Sequence, residues 1–167
     1  MNFPQITFNE NMGGIEKFSF IPWNHVRQVP NPVNGILRSA VSLHPDKSWF
    51  LGYGIKNSLA FQQAVVISGA GKYWDVQFSG MYPNPSDTIQ NLFKTMTSYR
   101  FFVVFKDMNK AYRFLGLERF PVEFKFSERS GSKPSDLSGF EFSFYGKLPS
   151  PCLIYDINNG APTPEML

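Results

Sequence analysis

The chain has 167 residues, a formal net charge of +3 and a single cysteine. The single cysteine excludes an internal disulfide framework and a cysteine-based zinc cluster. No apolar run reaches the roughly 18 residues of a membrane-spanning helix. No cluster of Lys and Arg supports charge-driven binding to nucleic acid. Aromatic residues, including 18 Phe, make up 17% of the chain, and because such side chains favour half-buried pleated surfaces, the composition predicts a β-rich fold.

The N-terminal stretch MNFPQITFNENMGG is polar and mixed, with one short strand possible at residues 6–8. It lacks the basic and apolar regions of a secretory signal, so we expect the protein to be made and folded in a cytoplasm. Residues 15–21, IEKFSFI, then predict a strand with Phe18 and Phe20 on one face. Pro22 ends this strand.

Residues 23–58 interrupt the strand pattern with repeated Pro, Gly and Asn, and only residues 36–43 are a strand candidate. The segment nevertheless contains Trp23, Trp49 and Tyr53, which a flexible linker would not normally carry. Long irregular segments in a domain are often functional. Two interpretations stay open: an arm or large loop that buries its aromatic side chains against a neighbouring molecule, or a cap over one end of a barrel.

The next stretch predicts a β-hairpin made of residues 63–68 and 72–82, in which Trp74, Val76 and Phe78 alternate with polar residues. The turn, Gly69-Ala70-Gly71-Lys72, has some likeness to a phosphate-binding loop. However, Val66 stands where that loop needs its first glycine and Tyr73 where it needs Ser or Thr, and a strand follows instead of a helix. We therefore interpret it as a hairpin turn.

Residues 86–98 predict one α-helix, with Asp87 as its cap and Gln90 as the return partner of a capping box. The apolar side chains on one stripe of this helix, spaced for docking on a sheet, are Ile89, Leu92, Phe93 and Met96.

Residues 99–146 predict a β-meander with the helix packed against it. Residues 101–105, FFVVF, are apolar at every position, so both faces of this strand should be covered. Strands follow at residues 112–115, 121–127 and 140–145, with a polar loop at residues 130–139, and the last two strands alternate cleanly between apolar and polar residues.

The pattern predicts an antiparallel β-barrel or sandwich with one packed α-helix. We expect residues 1–147 to form a single β-rich domain, with residues 23–58 inserted as an irregular loop or arm. Four prolines follow residue 148, so residues 148–167 are predicted to be an extended C-terminal arm in which only residues 153–156 could be a strand. Deletion of that arm should leave a folded core.

Candidate chemical groups are present but form no recognisable catalytic set. His25 and His44, with Asp46 nearby, lack the spacing of a known zinc site, and Cys152 lies in the proline-rich tail, where a packed small side chain is expected. The carboxylates considered as a glycosidase pair are Glu118, Glu123, Glu128, Asp136 and Glu141. We predict no enzyme activity, no cofactor and no catalytic or metal-binding residue; Trp23, Trp49 and Tyr82 are open candidates for stacking on sugars or bases.

The central block resembles a family of small proteins encoded by phages and prophages of Bacteroidetes, usually among tail and head–tail joining genes. Members of that family share a hairpin similar to RFVVL-D-NG-RLLG and an ending similar to SGS-PSD-NGYSFSFSG. The resemblance covers about residues 62–147, and residues outside that range depart from it. The matching residues are 100–106, 113–116, 130–132, 134–136 and 139–146.

The resemblance implies a virion structural protein of a phage tail or head–tail connector, made in the bacterial cytoplasm and located in the virion. Such proteins form closed rings through heterologous contacts between copies. The implied partners are further copies of the chain and other tail or connector proteins, with DNA passing through the ring without sequence-specific binding and with no membrane contact. The alternative is a carbohydrate- or receptor-binding β-module whose aromatic side chains form a platform.

Overall fold

The computed structural model describes residues 13–69, 71–83, 86–130 and 138–156. These residues form a β-rich fold with one α-helix and open sheets, which confirms the predicted fold class at that level. The elements in chain order are β1 (Ile15–Pro22), β2 (Val26–Gln28), β3 (Ile36–Leu37), β4 (Ser42–Leu43), β5 (Phe50–Gly52), β6 (Ala60–Ser68), β7 (Gly71–Pro83), α1 (Asp87–Met96), β8 (Arg100–Asp107), β9 (Tyr112–Leu115), β10 (Val122–Arg129), β11 (Gly139–Leu148) and β12 (Leu153–Tyr155).

Ten of these strands belong to one sheet, with the order β3-β12-β9-β8-β10-β11-β7-β6, and β1 lies along the other edge of β8 with β5 beyond it. Strands β2 and β4 form a separate small sheet. The strand path does not close on itself within the described ranges, so the sheets are open.

Strand β8 is buried on both faces, as its uniformly apolar sequence predicts. Phe101, Val103 and Phe105 point into a first core, whereas Phe102 and Val104 point into a second core on the opposite face. All five side chains are at most 1% exposed. Because full burial of each such side chain contributes roughly 1.5–3 kcal/mol, this strand stabilises both halves of the fold.

The first core is a stack of phenylalanine rings contributed by strands that alternate in the predicted phase. Phe78, Phe144 and Phe124 are directly opposite one another on β7, β11 and β10. The rings of Phe124 and Phe144 are 5.0 Å apart and tilted at 57°, which is a favourable geometry for aromatic pairs. The predicted alternation of β7, β10 and β11 is thus confirmed at these positions.

Helix α1 packs against this core through Phe93, whose ring contacts Phe124 and Phe142 edge-on at 5.3 and 6.1 Å. The predicted cap is wrong by one residue, because the Ser86 hydroxyl, and not Asp87, accepts the hydrogen bond from the Ile89 backbone N–H, at 3.4 Å. Helix α1 is neither long nor apolar enough to cross a membrane, and it is the one α-helix among the residues described.

The predicted meander is altered at β8, which pairs along one edge with both β9 and β10. Strand β9 pairs with Val103–Lys106 of β8. The tight turn closed by the Leu117–Phe120 bridge then brings β10 back to the same edge of β8, where it pairs at the first residues of that strand. Because β9 has only four residues, it leaves room on that edge for the beginning of β10.

The irregular segment, residues 23–58, is built into the fold by short strands and buried side chains. Its one strand candidate, residues 36–43, is divided into β3 and β4, which pair with different partners. Val29, Leu37 and Val41 are buried in the second core, with Trp49 packed against it. This part of the chain therefore covers the outer face of β8.

The C-terminal segment also differs from the predicted arm over residues 148–156. Leu148 belongs to β11, and β12 pairs with β9 on one side and β3 on the other. Cys152, Leu153 and Tyr155 are buried. Pro149 and Pro151 interrupt the alternating pattern of apolar and polar residues. Residues 153–155 contain no proline, so their backbone groups can pair as the short strand β12. Residues 157–167 of the predicted arm, and the possible strand at residues 6–8, lie outside the described residues.

Two truncations, one after Leu148 and one after Asp156, should differ strongly in stability. Both lack residues 157–167, so their difference reports on residues 149–156 alone, with three buried side chains. At roughly 1.5–3 kcal/mol for each side chain, we expect the shorter variant to lose about 5 kcal/mol in its free energy of unfolding, measured by urea denaturation. Equal denaturation midpoints would contradict the placement of β12 in the sheet.

Candidate functional site

The two histidines lie side by side but do not form a metal site with their neighbours. The His44 backbone N–H donates to the His25 carbonyl at 2.9 Å. The His25 ring lies 6.3 Å from the Phe50 ring, and burial lowers its pKa, with a smaller contribution from the positive charge of Lys47. No group of three or more His, Cys, Asp or Glu able to hold a metal occurs in the part of the chain that the structure describes. His25 is therefore a half-buried side chain whose surroundings favour the neutral form of the ring.

Cys152 is a packing residue with an unreactive thiol. Its Sγ donates to the Phe114 carbonyl at 3.2 Å, and its backbone N–H donates to Gln63 Oε1 at 3.1 Å. Burial raises the pKa of the Cys152 thiol to about 12. Because the thiolate is the nucleophilic form, this environment opposes a role for Cys152 as a nucleophile and agrees with the expected packed side chain.

Glu123 and Glu141, two of the carboxylates that are candidates for glycosidic chemistry, are too far apart and already have partners. Glu123 is opposite Tyr145 on β11, and Glu141 is four residues before Tyr145, which separates the two carboxylates by roughly 13 Å along the sheet. A glycosidase pair needs about 5–10 Å. Tyr145 donates to Glu123 at 3.0 Å and Arg129 pairs with Glu141 at 2.9 Å.

Three further carboxylates belong to that set. Glu118 and Glu128 are exposed, on a turn and near the end of β10 respectively, and Asp136 lies outside the described residues. The glycine-rich turn at residues 69–72 joins β6 to β7, with Ser68 opposite Gly71, and leads into a strand. The hairpin is thus confirmed; Ala70 itself is not among the described residues.

The three aromatic candidates are dispersed. Trp23 is half exposed, and its indole Nε1–H donates to the Glu118 carbonyl at 3.3 Å. Trp49 packs edge-on against Phe114 in the second core, whereas Tyr82 contacts Phe93 at the first core. Because the two cores lie on opposite faces of β8, Trp49 and Tyr82 do not share a platform.

An apolar slot opens between β5 and helix α1, with a volume of about 270 Å³. Its floor is formed by the rings of the first core, and its rim by side chains of β5 and α1. Gly52 makes this arrangement possible, because a Cβ at that position would collide with the Phe18 ring. The residues that define the slot are Phe18, Phe20, Leu51, Tyr53, Leu92 and Met96.

Large apolar side chains on the rim of this slot are exposed. Leu51 is 56% exposed, Tyr53 63% and Leu92 51%. The sequence places Leu92 in the buried stripe of the helix, but only Phe93 and Met96 of that stripe are fully covered. Helical spacing identifies the apolar face and does not reveal how much of that face the sheet covers, so no sequence signal identifies the slot.

The second exposed apolar feature is the end of the β6–β7 hairpin, here called the hairpin tip and defined by Val65 and Ile67. Ile67 is 80% exposed and Val65 45%. Strand β6 pairs only with β7 among the described strands, so its outer edge is free within that part of the chain. Its nine residues, AFQQAVVIS, contain no charge and no proline, which are the usual devices that protect an edge strand.

A third feature is a polar groove of about 970 Å³ over the outer face of β6, β7, β11 and β10. Lys125 lies over the Tyr145 ring at 4.7 Å, and the hydrogen bond that the Tyr145 hydroxyl donates to Glu123 raises the pKa of Tyr145. Strand register places one row of side chains across the groove: Gln62, Gln77, Tyr145, Glu123 and Arg100.

Comparison of the chain with protein-family models, curated proteins and solved structures finds no match. Functional inference therefore depends on the residues and surfaces described above.

The single cysteine gives a direct test of the site chemistry. At pH 8 a thiol with a pKa of about 12 has far less thiolate than one near its ordinary value of 9, since each pKa unit is a tenfold change. We expect iodoacetamide to alkylate Cys152 at least about 100-fold faster after unfolding in urea than in the native protein. Mass spectrometry measures the alkylation rate, with Cys152→Ala as the blank. Equal alkylation rates in the native and the unfolded protein would contradict the burial of this side chain.

Proposed function

We propose that this chain is a structural protein of a bacteriophage tail or head–tail connector, which assembles into a ring through protein–protein contacts. The resemblance of residues 62–147 to tail and head–tail joining proteins supports the class. The observation that carries the assembly part is the exposure of large apolar side chains around the slot, together with an uncharged free edge on β6.

Exposed apolar surface of this kind favours a protein partner. Contiguous apolar patches on a folded protein mark interaction sites, because leaving them in water is unfavourable. Leu51, Tyr53 and Leu92 all line one slot, so they form a local surface and are not scattered singly. A free edge strand offers backbone N–H and C=O groups to an additional strand.

We also propose that the fold is a β-sandwich and not a β-barrel. Strands β1 and β5 face β7 and β11 across the phenylalanine core, where the Phe18 ring lies 4.7 Å from the Phe78 ring, and the β8–β10 pairing joins the two sides into one sheet. Open ends of both layers leave edges and a slot that a neighbouring subunit could cover.

Within the ring, DNA would pass without being read. A formal net charge of +3 on 167 residues is too small to favour tight, salt-sensitive phosphate binding. The proposed partners are further copies of the chain and other tail or connector proteins, and the proposed location is the virion, after synthesis in the host cytoplasm.

Solution size tests this proposal. The purified chain is expected to form concentration-dependent oligomers in sedimentation velocity experiments, and ring-like particles in negative-stain images of the largest species. The apolar slot and the free edge provide the physical reason, since no other part of the described residues covers them and association would. A strictly monomeric protein from micromolar to near-millimolar concentration would overturn the proposal.

A second candidate function, carbohydrate binding, is favoured by the polar groove. Its row of amide, phenol and carboxylate groups supplies both donors and acceptors for sugar hydroxyls, and the exposed ring of Phe120 lies at its border. The dispersed Trp23, Trp49 and Tyr82 do not contribute to this groove.

This candidate predicts that the protein binds members of a panel of neutral and acidic oligosaccharides on an array. Gln77→Ala, which removes the amide between Gln62 and Tyr145 in the row, is expected to weaken such binding about tenfold, since losing one or two hydrogen bonds costs about 1–2 kcal/mol. Gln28→Ala, at an exposed glutamine outside the groove, serves as the matched control. Absence of binding across the panel would remove this candidate.

A further inference from the structure

We propose that the hairpin tip of one copy docks into the apolar slot of the next copy, so that identical chains join head to tail. This inference rests on the proposed self-assembly and names the two surfaces that would carry it. The occupant of the slot is thus a second copy of this chain, through Val65 and Ile67.

The hairpin tip has the properties of a docking element. Val65 and Ile67 are two residues apart on β6, so both point to the same face of the hairpin. They are opposite Trp74 and Lys72 on β7, and this end of the hairpin extends past Leu148, the last residue of β11, which pairs with Trp74. An isoleucine that is 80% exposed at a projecting end is a side chain that a partner can bury.

The slot has the complementary properties. Every side chain that defines it is uncharged, and its floor is made of core phenylalanine rings such as Phe18 and Phe20. A branched aliphatic side chain entering it would contact these rings and replace water at the exposed rim of Leu51 and Leu92. The side chains of the slot carry no charge, and Lys72, which is opposite Ile67 beside the tip, has its Nζ over the Trp74 ring at 5.6 Å. Association would therefore be driven mainly by apolar burial.

The tip cannot fill the slot of its own molecule. Ile67 is opposite Lys72 near the start of β7, whereas Tyr82 near the other end of β7 lines the slot. Ten residues of extended strand separate these positions, which is roughly 33 Å. The tip and the slot therefore lie at opposite ends of the longest described strand, as a head-to-tail contact requires.

Such a contact is heterologous, because each copy uses one surface to bind forward and a different one to bind backward. A heterologous contact repeats until the rotation between neighbours closes a ring, or continues as a filament if it does not close. The same geometry would suit the proposed ring-forming component, whose copies are all equivalent.

Three single variants test the contact in the full-length chain. Ile67→Asp places a charge on the tip, Leu92→Asp places one on the rim of the slot, and Val33→Asp places one at a valine that is also exposed but lies outside both surfaces. All three positions face solvent, so the fold should tolerate them, which circular dichroism and thermal melting would check. Ile67→Ala and Leu92→Ala provide milder versions.

We expect wild type and Val33→Asp to oligomerise alike, whereas Ile67→Asp and Leu92→Asp should each be monomeric, with association weakened at least 100-fold. An equimolar mixture of the two monomeric variants should form dimers that grow no further, since it contains one intact tip and one intact slot per pair. Sedimentation velocity and native mass spectrometry measure both results.

The possible failures are distinguishable. If wild type assembles and both Asp variants assemble equally well, the tip–slot contact is wrong while the assembly proposal stands. If the mixture of the variants stays monomeric although each is folded, the contact is not heterologous and the inference is overturned. If wild type itself is monomeric, the proposed function fails and the inference fails with it.

Discussion

Burial of strand β8 on both faces is the constraint on which the rest of this structure depends. Phe101 and Phe105 anchor the phenylalanine core beneath β10 and β11, while Phe102 anchors the second core beneath the irregular segment. The turn that leaves β9 must pass close to that second anchor: Gly116 has a φ of +109°, and a Cβ there would lie 2.7 Å from Phe102. Each half of the molecule is therefore positioned by the same five-residue run.

Sequence patterns predict the parts of this fold that repeat with a regular period. Alternation identifies β7, β10 and β11, and the apolar run FFVVF indicates two covered faces. The pattern identifies residues 153–156 as a possible strand, where β12 lies, but it does not reveal how that strand pairs, because its partners β3 and β9 lie about 40 to 120 residues earlier in the chain. Long-range pairing of this kind leaves no local signal, so a proline-rich segment is interpreted as an arm.

The candidate site is less predictable than the fold, for a related physical reason. Spacing places Leu92 on the packed stripe of the helix, but its exposure depends on how far β5 lies from α1, which no sequence period encodes. Ile67 belongs to the predicted hairpin, and it is exposed because the hairpin extends beyond β11, which the strand pattern does not show. The proposed assembly rests on these apolar side chains, which the tertiary geometry leaves uncovered.

Cysteine cross-linking tests the head-to-tail contact most directly. The chain's own Cys152 is buried and does not compete, so Ile67→Cys and Leu92→Cys can be introduced together in one chain. A disulfide needs Cβ atoms about 4 Å apart, which only a docked tip would provide. Under oxidation the double variant should give a ladder of dimers, trimers and longer species on a non-reducing gel, and each single variant should not. Assembled particles that give no ladder would contradict the contact.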